Sequence, residues 1–292
     1  MFNWDKSKLK ENALRLLQAG ITQKYKLLNS SELQLNMMYT KTTNECKWVV
    51  NVKDINDKGY IIELFTLENI ITETNNEMVH DLAAYKNLFR EVYDELVLEI
   101  DFFGNLIAVR NLKMLQEKWQ RVRADLEKSL KQHPEVGSVI TLNDTLFNNH
   151  ENVKAIIQAL EFFELFFPGF YGKALPAHVQ VMRYNRLKSQ PFKWWLSFSY
   201  PSSYSYYETG QPLQINFEGT IAEALTMQKV EERYGKFEFL NNKTFKPEFK
   251  CNGSFLLNRA SGLIEQAEYQ HHEILDKELL FTINNYSLST YE

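Results

Sequence analysis

Leu98-Glu99-Ile100-Asp101-Phe102-Phe103-Gly104-Asn105-Leu106-Ile107 is the stretch whose reading decides the fold. A strand-like run meets Asp101, crosses two residues to Gly104, and becomes strand-like again. The Asp side chain can close the turn on its own backbone, and Gly supplies the φ > 0 position. The same punctuation returns in Leu256-Leu257-Asn258-Arg259-Ala260-Ser261-Gly262-Leu263-Ile264. A looser copy is Val50-Asn51-Val52-Lys53-Asp54-Ile55-Asn56-Asp57-Lys58-Gly59-Tyr60-Ile61-Ile62. Each reads as a β-hairpin, so the chain reads as antiparallel sheet.

The 292 residues allow one large β-rich domain or two of about half that size. Apolar residues make up 44% and charged residues 24%, enough to build a core over most of the length. A net charge of −4 gives no basic footprint for nucleic acid. The two cysteines, Cys46 and Cys251, are too few for a disulfide scaffold or a Cys-rich metal site. They read as buried thiols, or as one bridge joining the halves. The start at Met1-Phe2-Asn3-Trp4 has no apolar signal region and no run is long enough to span a bilayer, so a cytoplasmic location is expected.

Along the chain, 5–19 reads as a short helix stopped by Gly20. Strands follow at 31–41, 47–52 and 60–71. A helix is expected over 76–93, where Met78, Leu82, Tyr85, Phe89 and Val92 keep a three/four spacing. The strongest helix is 111–132, with Leu112, Leu115, Trp119, Val122, Leu126 and Leu130 in one seam. Residues 135–142 read as a short strand. Asn143 or Asp144 then caps a helix running to about Phe166, stopped by Pro168-Gly169. From Pro176 onward the pattern is strands, at 179–184, 193–200, 213–218, 225–231, 236–240, 253–257, 263–271 and 279–283. The fold class is α+β: large curved antiparallel sheets, with three to four helices mainly between residues 76 and 166. The shared hairpin suggests two related β halves. The expected division is 1–140 and 141–292, or one continuous domain.

This layout resembles a group of uncharacterised bacterial two-half β proteins, whose curved antiparallel sheets carry repeated acid-x-x-Gly-hydrophobic hairpins. The resemblance runs from about Leu33 to the C-terminus and implies no catalytic residues. Members are usually exported, a point on which this chain departs. More distantly, curved half-barrel carriers of apolar ligands share such meanders.

Motifs for chemistry are sparse. No Gly-x-Ser-x-Gly, P-loop or Gly-x-Gly-x-x-Gly occurs. His271 and His272 are neighbours in a strand, so they point to opposite faces and do not read as a metal pair. Asp54-Ile55-Asn56-Asp57-Lys58-Gly59 begins like a calcium loop, but Lys58 and Phe65 stand where ligands belong. Glu161 and Glu164 read as a solvated face. The cations between Arg110 and Lys131 alternate with acids, as on an ordinary exposed helix. No catalytic residue, metal or cofactor is expected.

Aromatic crowding is the least ordinary feature. Fifteen of the chain's forty aromatics fall within residues 162–207, more than twice an even share. Either they fill a core, or they form an exposed lip. The candidate binding residues are Phe163, Phe166, Phe167, Phe170, Tyr171, Trp194, Trp195, Tyr204, Tyr206 and Tyr207. The first function expected is a non-enzymatic module that docks a protein partner through this surface. The alternative is a carrier of an apolar small molecule in a curved-sheet pocket. An enzyme without a recognisable motif is the third reading.

Overall fold

The computed structural model describes residues 13–77, 79, 90–129, 136–187, 190–201, 211–235, 237–240 and 246–292. The hairpin at 98–107 forms as its residues dictate. Asp101 Oδ1 accepts from the Phe103 and Asn105 amides at 2.7 and 2.9 Å, and Gly104 takes φ 90°. Asn258 does the same for the Ala260 and Ser261 amides. Asn56 Oδ1 caps the Lys58 amide at 2.8 Å.

Eleven strands form one antiparallel sheet among the described residues. They are β1 (Ile21–Leu35), β2 (Met38–Ile55), β3 (Gly59–Thr74), β4 (Glu95–Asp101), β5 (Leu106–Val109), β6 (Ala177–Tyr184), β7 (Pro191–Ser199), β8 (Leu213–Ile221), β9 (Glu248–Leu257), β10 (Ile264–Asp276) and β11 (Leu280–Tyr291). The spatial order is β5-β4-β3-β2-β1-β11-β10-β9-β8-β7-β6. Two meanders therefore meet at the β1–β11 pair, where Lys24 faces Tyr291 and Leu35 faces Leu280. One sheet runs through both halves, and position 140 lies inside a helix.

The helices are α1 (Leu112–Ser129), α2 (Val136–Phe147), α3 (His150–Gln158), α4 (Glu161–Phe166) and α5 (Met227–Tyr234), and residues 90–93 are helical as well. Helices α1 to α4 fill the connection between β5 and β6. The α1 seam is buried at Leu115, Trp119, Val122 and Leu126. Its outer charges pair among themselves and with neighbours, as in Arg123–Glu127 and Lys118–Glu95. Leu130 lies outside the described residues.

Several element boundaries differ from the sequence reading. The expected strand 31–41 is two strands joined by Asn36-Met37, with Asn36 at φ 53° doing what a glycine usually does. Residues 135–142 belong to helix α2, and the long helix expected up to Phe166 is three helices. Asn149 caps α3, accepting from the Glu151 amide at 2.9 Å. The expected strand at 225–231 is α5, started by Thr226, whose hydroxyl accepts from the Lys229 amide. Residues 237–240 form a turn; position 236 lies outside the description. Of the expected helix 5–19, residues 13–18 are irregular. The Leu14 amide donates to Lys173 O and the Leu17 amide to Ser261 O. Most of the expected helix 76–93 lies outside the described residues.

The sheet must curl. Laid flat, eleven strands would be roughly 48 Å wide at about 4.8 Å per step. Yet one short segment touches both edges. A Cβ on Gly104, in the β4–β5 turn, would lie 2.6 Å from Phe167 Cβ. A Cβ on Gly169, two residues later, would lie 3.3 Å from Val179 on β6. Two residues reach at most about 7 Å, so the edges approach each other around residues 160–173. The result is an incomplete barrel with a peptide plug in its gap.

Aromatics fill the hollow. Phe166 meets Tyr25 edge-on at 4.7 Å, and Phe162 meets Trp48 at 5.8 Å. Phe170 packs against Phe198 and Phe255 at 5.6 and 5.3 Å. Two buried hydroxyls are met by main-chain carbonyls: Tyr25 donates to Ile264 O and Tyr171 to Gly262 O, each at 2.8 Å. Cys46 and Cys251 are buried and unbridged. No helix among the described residues is long and apolar enough to cross a membrane.

Candidate functional site

A groove of about 720 Å³ lies in the gap of the barrel. One side is β6, whose outer edge pairs with no other strand among the described residues. The other side is the plug: the end of α3, helix α4 and the loop through Gly169. Phe163, Phe167, Val179 and Val181 contribute apolar wall, and the β4–β5 turn closes one end with Phe103, Gly104 and Asn105. Position explains the composition. Strand β6 alternates, so Val179, Val181 and Arg183 turn inward while Gln180, Met182 and Tyr184 turn out, and residues of both faces reach the groove along the strand's edge.

Charged groups occupy the groove beside this wall. Glu164 on α4 is the hub. Tyr269 donates its hydroxyl to Glu164 Oε1 at 2.7 Å, and Arg183 Nη1 lies 3.4 Å from the same oxygen. Arg186 donates to Oε2. Arg183 Nη1 also donates to the Tyr269 hydroxyl at 2.6 Å. Burial would raise the Glu164 carboxyl, but the Arg186 and Arg183 guanidiniums overcome it and hold it at about 2. Glu164 is therefore an ionised carboxylate, not an acid with a proton to give.

A second carboxylate behaves in the opposite way. Glu273 accepts from the Arg186 main-chain amide at 2.7 Å and from Asn185 Nδ2 at 3.2 Å. Burial outweighs these bonds and pushes its pKa up. Beside this network, His271 is buried between Trp194 and Tyr269, with ring centroids 5.3 and 6.5 Å away. Burial pushes its imidazole down to about 3, and its Nδ1 has no hydrogen-bond partner among the described residues. Burial likewise raises the Cys251 thiol to about 11, which leaves it a poor nucleophile at neutral pH.

The predicted aromatic residues separate into three groups. Phe163, Phe166, Phe167, Phe170, Tyr171 and Trp194 are buried, so they are core and not an exposed lip. The reason is the plug: consecutive aromatics spread around a short helix, and the curled sheet surrounds that helix on several sides. Phe163 and Phe167 nonetheless reach the groove wall. Trp195 is 49% exposed on the outer face of β7. Tyr204, Tyr206 and Tyr207 lie outside the described residues.

Sequence reasoning missed Glu164, Arg183, Arg186 and Tyr269. Glu164 is no solvated acid: only 15% of its side chain is exposed. A signal for two of them was present. Arg183 falls on the inward phase of an apolar strand, and Glu164 sits inside an otherwise aromatic helix. A charge on a buried phase needs a partner. Among the described residues, no three His, Cys, Asp or Glu side chains gather as a metal site.

No protein-family profile matches the sequence, and no curated protein matches it. Among solved structures, one described by lipid–protein interactions in lipovitellin aligns over 94% of this chain, with a TM-score of 0.49 and 7% identity. This chain spans 25% of that protein's length.

Proposed function

We propose that this protein holds a small, largely apolar molecule in the groove between β6 and α4. The observation that carries the reading is the groove itself: about 720 Å³, walled by Phe163, Phe167, Val179 and Val181. That volume falls within the usual range for small-molecule sites, roughly 300–1,000 Å³. The hollow of the sheet is filled by aromatic side chains, so the seat is the seam of the barrel and not its interior. The function is binding, not bond-making. The neighbouring carboxylate is locked in ion pairs, and the neighbouring thiol is held protonated.

The test is a fluorescence titration with the neutral apolar dye Nile red. Saturable binding to the wild type is expected, weakened at least tenfold in Val181→Phe, which fills the groove. Val179→Phe serves as a second obstruction in case the first disturbs folding. Equal binding by wild type and both folded variants would remove the reading.

One observation favours a second reading, a protein partner added at the sheet edge. Met182, Tyr184 and Trp195 are 54%, 43% and 49% exposed on the outer face of neighbouring strands, beside the free edge of β6. Unpaired edges of this kind accept an extended segment from another chain. In this reading Trp195→Lys, a change outside the groove lining, weakens the partner contact while Nile red binding stays unchanged.

A further inference from the structure

The charged groups lining the groove do not balance. Lys173, Arg183 and Arg186 supply three cations, and Glu164 is their one acidic counterpart in the lining. Two of these cations are withdrawn from water: the Arg183 side chain is 9% exposed and that of Arg186 is 23% exposed. Glu273 does not correct the imbalance. It binds the main-chain amide of Arg186, not the guanidinium, and burial favours its neutral form.

The bonds leave donors to spare. Glu164 takes one contact from each arginine, and Arg183 spends further bonding on Tyr269 and Cys251. Each guanidinium has five N–H donors in a planar fork suited to an oxyanion. A surplus guanidinium beside apolar wall is costly to desolvate unless an anion meets it. Lys173 adds a point charge near the β4–β5 turn, its Nζ 4.9 Å above the Phe103 ring.

We propose that the ligand is an acidic amphiphile. Its oxyanion head, a carboxylate or a phosphate monoester, meets Arg186 with Arg183 behind it. Its apolar tail lies along Phe163, Phe167, Val179 and Val181. This rests on the groove being a binding site, and adds to it the sign and shape of the head group. The Glu164 carboxylate has a defined part here. It pairs with both guanidiniums and fixes them, and the lining still carries more cations than carboxylates.

The experiment is calorimetric titration of the full chain with four C12 probes that share a tail: dodecanoate, dodecyl phosphate, 1-dodecanol and dodecyltrimethylammonium. The expected result is at least tenfold tighter binding of an anionic probe than of dodecanol, with the cationic probe weakest. Whichever of dodecanoate and dodecyl phosphate binds tighter names the head. Arg186→Gln should bring the anionic probe down to the level of dodecanol. Glu164 keeps Arg183 and the Tyr269 hydroxyl as partners in that variant; Arg186→Met, uncharged and of similar length, is the companion variant in case Arg186→Gln disturbs folding. Dodecanol binding as tightly as the anions would overturn the acidic head and leave the groove reading standing. No binding by any probe would overturn both. An anionic preference that survives in both folded variants would overturn the role of Arg186.

Discussion

The two edges of the sheet face the same problem and meet it differently. An edge strand leaves a row of N–H and C=O groups without a ladder partner. At the β5 edge the strand is short, and the Leu106 amide is taken by Gln158 Oε1 at 2.6 Å. The adjoining turn packs on Phe167 through Gly104, and Arg110 pairs with Glu99 at 3.1 Å. At the β6 edge eight residues run beside a groove, and among the described residues no backbone–backbone bond reaches them except from β7. One edge is closed by side chains from the plug. The other is left with room beside it, and the surplus positive charge lies on that side. Protein interiors are packed tightly enough that such a space stands out.

The sharpest way to break this contrast is Phe167→Ala. Phe167 is buried, packs at a tilt against Phe163 and Tyr171 with ring centroids 5.9 and 5.5 Å away, and meets the β4–β5 turn. Removing a buried aromatic ring costs about 3–5 kcal/mol. Urea unfolding should show a loss of that size. A loss below about 1 kcal/mol would mean that the plug does not hold the closed edge.

The cluster behind the open edge predicts a pH effect. His271 has a folded pKa of about 3 against 6.5 for a free imidazole. Between these values the unfolded chain binds a proton that the folded chain does not. Stability at this residue therefore falls as pH falls, by about 2 kcal/mol between pH 7 and pH 5. Glu164, held at about 2, adds a second loss from about 4.5 downward, once the unfolded carboxylate starts to protonate. Glu273 acts in the other direction, since its raised pKa makes the folded state take the proton first. The contribution of His271 is isolated by difference. Unfolding midpoints of wild type and His271→Phe at pH 7 and pH 5 should show the variant losing less on acidification. Equal losses would remove His271 as the source.

How much of this could be read in the residues follows from the range of each signal. Hairpins at Asp101–Gly104 and Asn258–Gly262 are local, set by an Asx side chain and a glycine, and both form as read. The Asn36-Met37 turn was hidden because no glycine marks it. Helix α5 reads as a strand because Leu225 to Glu231 is too short for its period to speak, and Thr226 supplies the cap. The groove was hidden for a different reason. Its walls come from Val181 and Phe163, and its polar end joins Glu164 to Tyr269 across 105 residues. No spacing along the chain encodes that encounter. Only the odd placement of charge, at Glu164 among phenylalanines and Arg183 on an inward phase, hinted at it.

The smallest expected effect tests the aromatic reading itself. Trp194 and Trp195 are adjacent in β7, and strand geometry sends them to opposite faces. Trp194 is buried against His271, whereas Trp195 is half exposed opposite Gln180 and Thr220. Trp195→Ala removes cross-strand contact but opens no cavity, so it should cost under about 1 kcal/mol. Nile red binding should be unchanged, because Trp195 is not among the residues that line the groove. If Trp195→Ala instead destabilised the fold as strongly as Phe167→Ala, something would have to cover the outer face of β7. The second copy or partner that covers it would then appear as a change in oligomeric state by sedimentation.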